Sequence, residues 1–284
     1  MLSQKRVAAI HDISGVGKCS LTVALPIISA AGVECSVLPT AVLSTHTGGF
    51  TGFTYRDLTA DIAPIVAHWQ SLALHFDAIY TGFLGSFEQI DLVSQAFDAL
   101  ATEDTLIAVD PVMADNGQLY TIFDKTFPPA MKKLCAKADL IMPNLTEAAF
   151  MLGEPYQAGP YTKDYITGIL QRLSAAIPAK NIVLTGVYFD EQQLGAAAYD
   201  AASGEVSCVL GRKIPGSYHG TGDVFGSALV GALMRGKTLA EAVRIAIDFT
   251  VASISWTKEA GTELRYGVNF EANLPLYIKE LGLL

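Results

Sequence analysis

The sequence predicts an α/β fold, with a mostly parallel central sheet, helices on both of its faces, and a small flap. Two observations carry this reading. Short runs that are apolar throughout alternate with longer helical segments, as strands buried on both faces require. Polar or glycine residues then stand just past several of these runs: His11-Asp12, Thr81-Gly82, Asp110, Asn144 and Thr185-Gly186. Ligands of open α/β sheets bind in the crevice beyond the carboxyl ends of the strands, so these distant segments are expected to converge on one site.

In chain order, Val7 to Ile10 reads as a strand, Leu21 to Ala31 as a helix and Val33 to Leu38 as a second strand. The stretch Thr45 to Tyr55 is too polar and too rich in glycine for a core element. It reads as a flap with hinge glycines and aromatics that cover a ligand. Ala78 to Tyr80 is a strand, and Ser86-Phe-Glu-Gln89 has capping-box form before a helix that runs to about Leu100. Strands at Leu106 to Val109, Leu140 to Met142 and Ile182 to Leu184 end at Asp110-Pro111, Pro143-Asn144 and Thr185-Gly186. Ala196 to Tyr199 and Val206 to Leu210 read as an antiparallel hairpin at the sheet edge. A helix follows from Val224 to Met234. After the capping-box pattern Thr238 to Glu241, another runs from Ala242 to about Trp256.

The 284 residues are 51% hydrophobic and carry a net charge of −9, which suits one large domain, 1–284, and offers no basic run for nucleic acid. The apolar run after Met1-Leu-Ser-Gln-Lys-Arg6 is too short for a signal peptide core or a membrane span. Cys19, Cys35, Cys135 and Cys208 lack Cys-x-x-Cys spacing and are expected to be buried free thiols of a reducing cytoplasm.

Gly220-Thr-Gly-Asp223 is the most informative segment. Two glycines allow close backbone approach to a ligand. The unpaired N–H groups of a first helical turn attract an anion, and Asp223 beside that anion could take a proton from an attacking hydroxyl. The plain alternative is an acid that complements the helix dipole. Ser14-Gly-Val-Gly-Lys18 is not a P-loop, because Asp12 stands where its first glycine belongs and Cys19 replaces the metal-binding hydroxyl. It reads as a tight turn after the first strand, with Asp12 either facing the crevice or closing the turn. Asn144-Leu-Thr-Glu147 is either a capping box or a station for metal and phosphate. Asp110 and Asp115 are turn residues or part of a Mg²⁺ site, since Mg²⁺ is held by one or two carboxylates plus substrate phosphates. Of the five histidines, His68 and His75 are expected at the surface, and none pairs at zinc spacing. His46 in the flap and His219 before the glycine motif could meet a ligand.

Six segments in order together resemble the pyridoxal kinases of the ribokinase-like superfamily. They are Ser44-Thr-His-Thr-Gly48, Thr81-Gly-Phe-Leu-Gly-Ser86, Asp110-Pro-Val-Met113 with Gly117-Gln-Leu-Tyr120, Pro143-Asn-Leu-Thr-Glu147, Ile182-Val-Leu-Thr185 and Gly220-Thr-Gly-Asp223. The resemblance implies a ribokinase-like three-layer sandwich and ATP-dependent phosphorylation of the 5′-hydroxymethyl group of pyridoxal, pyridoxamine or pyridoxine. It implies Asp223 as base and Gly220, Thr221 and Gly222 as anion hole. Asp115, Asn144 and Glu147 would serve Mg²⁺ and triphosphate. Asp110 and Tyr120 would belong to a loop over ATP, and Thr185 would lie near nucleotide phosphate. Thr47 and Phe83 would line the pyridine pocket. Members usually form homodimers and often use a monovalent cation such as K⁺. Many members carry Ser-His where this chain has Asp12-Ile13, so its pocket differs there.

Two rivals remain beside this resemblance. Hydroxymethylpyrimidine kinases share the superfamily, and those that also phosphorylate the monophosphate often resemble a Gly-Thr-Gly-Cys version of the motif. A non-catalytic B6-vitamer carrier would need neither Asp223 nor the acids at 110 and 147. A sugar kinase is disfavoured, because Val33 to Tyr55 is too short for the larger β-lid of that group.

Overall fold

The computed structural model describes residues 4–284, so Met1-Leu-Ser3 of the N-terminal segment lies outside the described residues. The strands are β1 (Arg6–Val16), β2 (Glu34–Thr45), β3 (Tyr55–Asp57), β4 (Ala78–Thr81), β5 (Leu106–Val109), β6 (Ala114–Asp115), β7 (Gln118–Leu119), β8 (Leu140–Ile141), β9 (Asn181–Val187), β10 (Gln193–Asp200) and β11 (Val206–Arg212). Nine of them form one sheet in the order β11-β10-β9-β8-β5-β4-β1-β2-β3, and β6 and β7 pair separately. Neighbours from β2 across to β9 are parallel, whereas β3 at one edge and β10 and β11 at the other are antiparallel.

Successive strand residues point to opposite faces, and both faces are apolar because both are covered. Val7, Ala78, Tyr80, Ala108, Leu140 and Val183 face a core made with α1 (Leu21–Ala30), α7 (Thr221–Met234), α8 (Leu239–Glu259) and α9 (Leu274–Glu280). Ala8, Ile10, Ile79, Val109, Ile141 and Ile182 face the other core, made with α2 (Thr59–Ser71), α3 (Phe87–Leu100), α4 (Phe127–Cys135), α5 (Leu145–Leu152) and α6 (Lys163–Ala176). The three layers are therefore those expected from the sequence. Strand β1 pairs with β2 on one side and β4 on the other, and this reversal of strand order opens a crevice at the carboxyl ends.

Three local expectations need correction. Strand β1 does not turn at Ser14 but continues to Val16, paired with a β2 that is longer by one residue. A bulge between His11 and Ile13 absorbs the irregularity, so Asp12 lies within the strand at the bulge rather than past its end. Ser86 caps α3 by accepting from the Gln89 N–H at 3.2 Å, but the Gln89 side chain does not reach back to complete a box. It is buried, donates to the Thr40 carbonyl at 3.2 Å and the Thr59 hydroxyl at 2.9 Å, and accepts from the Gly85 N–H at 2.8 Å. Among the cysteines, only Cys135 is fully buried, and Cys208 is exposed on the edge strand β11.

Gln89 thus ties β2, α2 and α3 together below the crevice. Replacing it with Leu leaves the Gly85 N–H without its partner and takes one of two donors from the Thr40 carbonyl, which keeps the Leu58 N–H at 3.0 Å. The expected loss of unfolding free energy is about 1–3 kcal/mol, read from urea denaturation at an unchanged m-value. A loss below about 0.5 kcal/mol, the range of neutral surface changes, would show that this bridge carries no weight.

Candidate active site

The crevice is roofed by the start of α7. Its N-cap, Gly220, has φ 75, and a Cβ there would collide with the Lys18 carbonyl. The first intrahelical bond runs from the Val224 N–H to the Gly220 carbonyl at 3.0 Å, so the N–H groups of Thr221, Gly222 and Asp223 precede the helical ladder. Gly222 is exposed, with open space where a side chain would stand. The arrangement is a helix N-terminus aimed into the crevice, accessible to an anion.

Asp223 lies in this first turn. Its pKa is pushed up to about 7 by burial and by the nearby charge of Asp12, opposed in part by the Ser20 N–H that faces it. Asp12 itself is 6% exposed and accepts from the Ser20 hydroxyl at 2.7 Å and the Ser14 hydroxyl at 3.1 Å. Burial raises its pKa despite these donors.

Asp110, just past β5, is also buried. Burial, then the charges of Glu147 and Asp223, hold its carboxyl well above the usual range. Asp110 is thereby the electrostatic link between the α7 start and the α5 start. At the latter, Asn144 and Glu147 form a complete capping box. Asn144 Oδ1 accepts from the Thr146 and Glu147 N–H groups at 2.8 and 2.9 Å, and Glu147 accepts from the Asn144 N–H at 2.8 Å. The other Glu147 oxygen accepts from the Met113 N–H at 3.1 Å. These donors favour its charged form, yet burial dominates and the Glu147 pKa is raised. Together Asp110 and Glu147 favour a single negative charge over two.

The β6–β7 hairpin is fastened to this corner. Asn144 Nδ2 donates to the Ala114 carbonyl at 2.8 Å, and the Gly117 N–H donates to the Thr146 hydroxyl at 3.0 Å. Tyr120 follows the hairpin, with its N–H on the Met113 carbonyl at 2.9 Å and its phenol within reach of the charges of Glu147, Asp115, Asp110 and Asp223. Asp115 is exposed and turned toward Asn116. Thr185, which lies inside β9 rather than past its end as the sequence suggests, forms a bridge with Asn144. Among the described residues, no group of three or more acidic, His or Cys side chains is arranged to hold a metal alone.

On the other rim, the flap lies docked. His46 Nε2 is 2.6 Å from the Arg265 carbonyl. Phe50 packs edge-on against His46 and Tyr266, and the Arg265 guanidinium stands over its ring at 5.2 Å. Burial, and His219 at 5.2 Å between ring centres, keep His46 below its usual pKa, hence neutral at pH 7. Thr47 is exposed beside it. Phe83, past β4, is half-buried against Phe123. The structure thus gathers Asp12, Asp110, Tyr120, Asn144, Glu147, Thr185 and Asp223 around the crevice, and leaves Thr47 and Asp115 at its exposed margin.

Sequence reasoning missed Lys18, Ser20 and Arg265. Lys18 joins the β1–α1 loop to the C-terminal segment through Asn269 at 2.7 Å and Glu271 at 2.8 Å. Gly267, whose missing side chain leaves room for Lys18, was the available signal for this contact. For Arg265 the sequence offers none.

A doubly covered parallel sheet with a glycine-opened helix above a set of carboxylates defines a small-molecule kinase of the ribokinase-like class. The chain belongs to the phosphomethylpyrimidine kinase family, which it matches over residues 25–268. A Bacteroides thetaiotaomicron protein, provisionally described as a phosphomethylpyrimidine kinase and solved with pyridoxal, is 40% identical. It superposes with a TM-score of 0.90 over 97% of this chain and 96% of its own. Pyridoxal kinase from Lactobacillus plantarum is 34% identical, with a TM-score of 0.89 over 98% of both chains. A pyridoxal kinase of Pasteurella multocida is 28% identical over 219 residues, 74% of each chain.

The raised pKa of Asp223 has a consequence for stability. Its value in the folded chain, about 7, exceeds the ordinary 3.8, so the folded state binds the more protons between those limits. Stability therefore falls as pH rises through this window, and the full penalty stands above about 7. Asp223→Asn removes it. The variant is expected to melt higher than the wild type at pH 8 and equally near pH 4, by scanning calorimetry. Equal melting at both pH values would show that the carboxylate is not desolvated.

Proposed function

We propose that this protein is an ATP-dependent kinase that phosphorylates the 5′-hydroxymethyl group of a B6 vitamer. The observation that carries this is Asp223, desolvated yet partly ionised at neutral pH, standing in the helix turn whose free N–H groups face the crevice. The relatives support the acceptor: one is solved with pyridoxal and two are pyridoxal kinases.

The transfer would run as follows. The acceptor hydroxyl attacks the γ-phosphorus of ATP, the bond to the β-phosphate oxygen breaks, and ADP leaves. Charge spreads over the equatorial oxygens of the moving group. The N–H groups of Thr221, Gly222 and Asp223 meet that charge where it develops. The hydroxyl proton passes to Asp223 Oδ as the new P–O bond forms. Asn144 and Thr185 border the triphosphate, and Tyr120 and Asp115 flank it from the hairpin. Phe83, His46, Thr47 and Asp12 line the ring pocket.

The donor set suits Mg²⁺. Asp110 and Glu147 are carboxylates whose proximity raises the pKa of Asp110, and a divalent cation relieves such repulsion. With too few ligands for a cage, they suit an ion completed by substrate phosphates and water. Bound there, Mg²⁺ would neutralise triphosphate charge. A monovalent cation such as K⁺ belongs to this proposal, as does a cytoplasmic location, which suits four free thiols.

A panel of pyridoxal, pyridoxamine, pyridoxine and hydroxymethylpyrimidine at fixed Mg-ATP, read as ADP release, tests the reading. We expect a B6 vitamer to give the highest kcat/KM. Preference for hydroxymethylpyrimidine would establish the rival kinase, and no stimulation by any acceptor would leave a carrier. Asp223→Asn is expected to lower kcat by about 10² or more while ATP affinity holds, and near-wild-type turnover would remove Asp223 from its role.

The homodimer that the resemblance implies belongs to this proposal, and the exposed apolar side chains Val16, Val42 and Tyr55 on β1, β2 and β3 suit such a contact. Light scattering at micromolar concentration is expected to give twice 30.2 kDa, and a monomeric mass would overturn it.

A further inference from the structure

Ser20 departs from ordinary local structure in two ways at once. It precedes α1 with φ 57 and ψ −131, a region that residues with a Cβ seldom enter. The other described non-glycine residues with positive φ, Ala73 and Asn116, lie in a helix exit and a hairpin turn. A serine before a helix ordinarily turns its hydroxyl onto the first-turn N–H groups. That of Ser20 makes no cap bond and donates instead to buried Asp12 at 2.7 Å.

Both departures lead to the crevice. The Ser20 N–H faces the Asp223 carboxyl, while its carbonyl accepts from the Val23 and Ala24 N–H groups at 3.0 and 2.9 Å and so starts α1. An isolated bridge to Ile13 ties the same residue back to β1. Two residues earlier, the Lys18 carbonyl abuts Gly220 at the start of α7. A relaxed, negative φ at Ser20 would turn its peptide N–H away from Asp223.

We propose that Ser20 is a positioning residue for Asp223: the bond from its hydroxyl to Asp12 holds the backbone in the positive-φ form that aims its N–H at the base. This rests on the reading of Asp223 as the base. Residue 20 needs the anchor because it has a Cβ; glycine would hold the same φ without one.

Two single variants test it with pyridoxal and Mg-ATP. Ser20→Ala loses the anchor and keeps the Cβ, so it relaxes. Its kcat is expected to fall about tenfold or more, within the known cost of a small misplacement, while KM for Mg-ATP changes less than about twofold. Ser20→Gly loses the same hydroxyl but tolerates the conformation, so its kcat is expected to exceed that of Ser20→Ala by about fivefold or more. Ser20→Gly by itself is expected to keep kcat within about threefold of the wild type, which keeps the test intact if Ser20→Ala does not fold. Wild-type kcat in Ser20→Ala, equal kcat in Ser20→Ala and Ser20→Gly, or a loss of about tenfold or more in Ser20→Gly would each overturn the inference. Asp223→Asn, run alongside, separates the two levels. If it stays active, the base assignment fails; if it is inactive while Ser20→Ala is fully active, only the role of Ser20 fails.

Discussion

The contact between Gly220 and the Lys18 carbonyl governs the rest of the site. No side chain fits at residue 220, which also needs a left-handed backbone, so only glycine lets α7 settle against the β1–α1 loop. The same helix approaches the sheet closely further along. Gly226 lies against the Tyr80 hydroxyl of β4, and Gly231 lies against Tyr277, whose hydroxyl donates to the Ala228 carbonyl at 3.0 Å. These glycines press α7 onto its neighbours at successive points. Asp223 is thereby carried down to the β1–β4 switch point, beside Asp12 and within the field of Asp110. A helix standing off by the thickness of one methyl would leave the acid in solvent, with an ordinary pKa and no claim to base chemistry.

That placement works against stability. Asp12, Asp110 and Glu147 are buried and Asp223 is half-buried, close to one another, and loss of water raises the pKa of each. A fold selected for stability alone would separate or expose them. The two large apolar cores on either side of the sheet supply the stability that this cluster lacks, and the cluster gains sense when phosphate and cations complete it. The like charges also explain why backbone donors gather here: the α5 cap, the Met113 N–H and the Ser20 N–H each stabilise a carboxylate without adding a side-chain cation.

Much of this was legible in the sequence. Apolar runs reported the strands because double burial makes them continuous, and the polar residues after them marked the crevice. The glycine motif announced the α7 start. What was not legible has physical causes. Strand β1 was cut short because Asp12 and Ser14 look like turn residues, yet paired with each other and with Ser20 they are satisfied inside a strand. Glu147 fits both a capping box and a metal station, and local spacing cannot separate them because the same carboxylate does the first while facing Asp110. The dependence of the flap on Arg265 and Tyr266 joins residues more than two hundred positions apart with no periodic or motif signal. Ser20 carries no sequence signal, because a serine before a helix is ordinary until its dihedral angles are known.

The family and the Bacteroides relative take their names from a phosphorylated pyrimidine, whereas that relative is solved with pyridoxal and the Lactobacillus relative is a pyridoxal kinase. The two descriptions share the chemistry at one end. Each concerns a hydroxymethyl group on an aromatic nitrogen heterocycle, so in the proposed roles the Gly220–Asp223 turn, Asp110, Asn144 and Glu147 would serve either acceptor alike. Discrimination must come from the ring end, where on our reading Asp12 stands. Its two oxygens already accept one O–H donor each, from Ser20 and Ser14. As a carboxylate it then has only acceptor lone pairs left for the ring. Such a group rewards a ring that presents N–H or O–H, as a protonated pyridine or its phenol does, and leaves a bare ring nitrogen unpaired. If Asp12 meets the ring as proposed, acceptor choice in this chain would turn on the protonation of the bound heterocycle, a property that the serine common at this position in the resembling kinases would read less sharply, since a hydroxyl both donates and accepts.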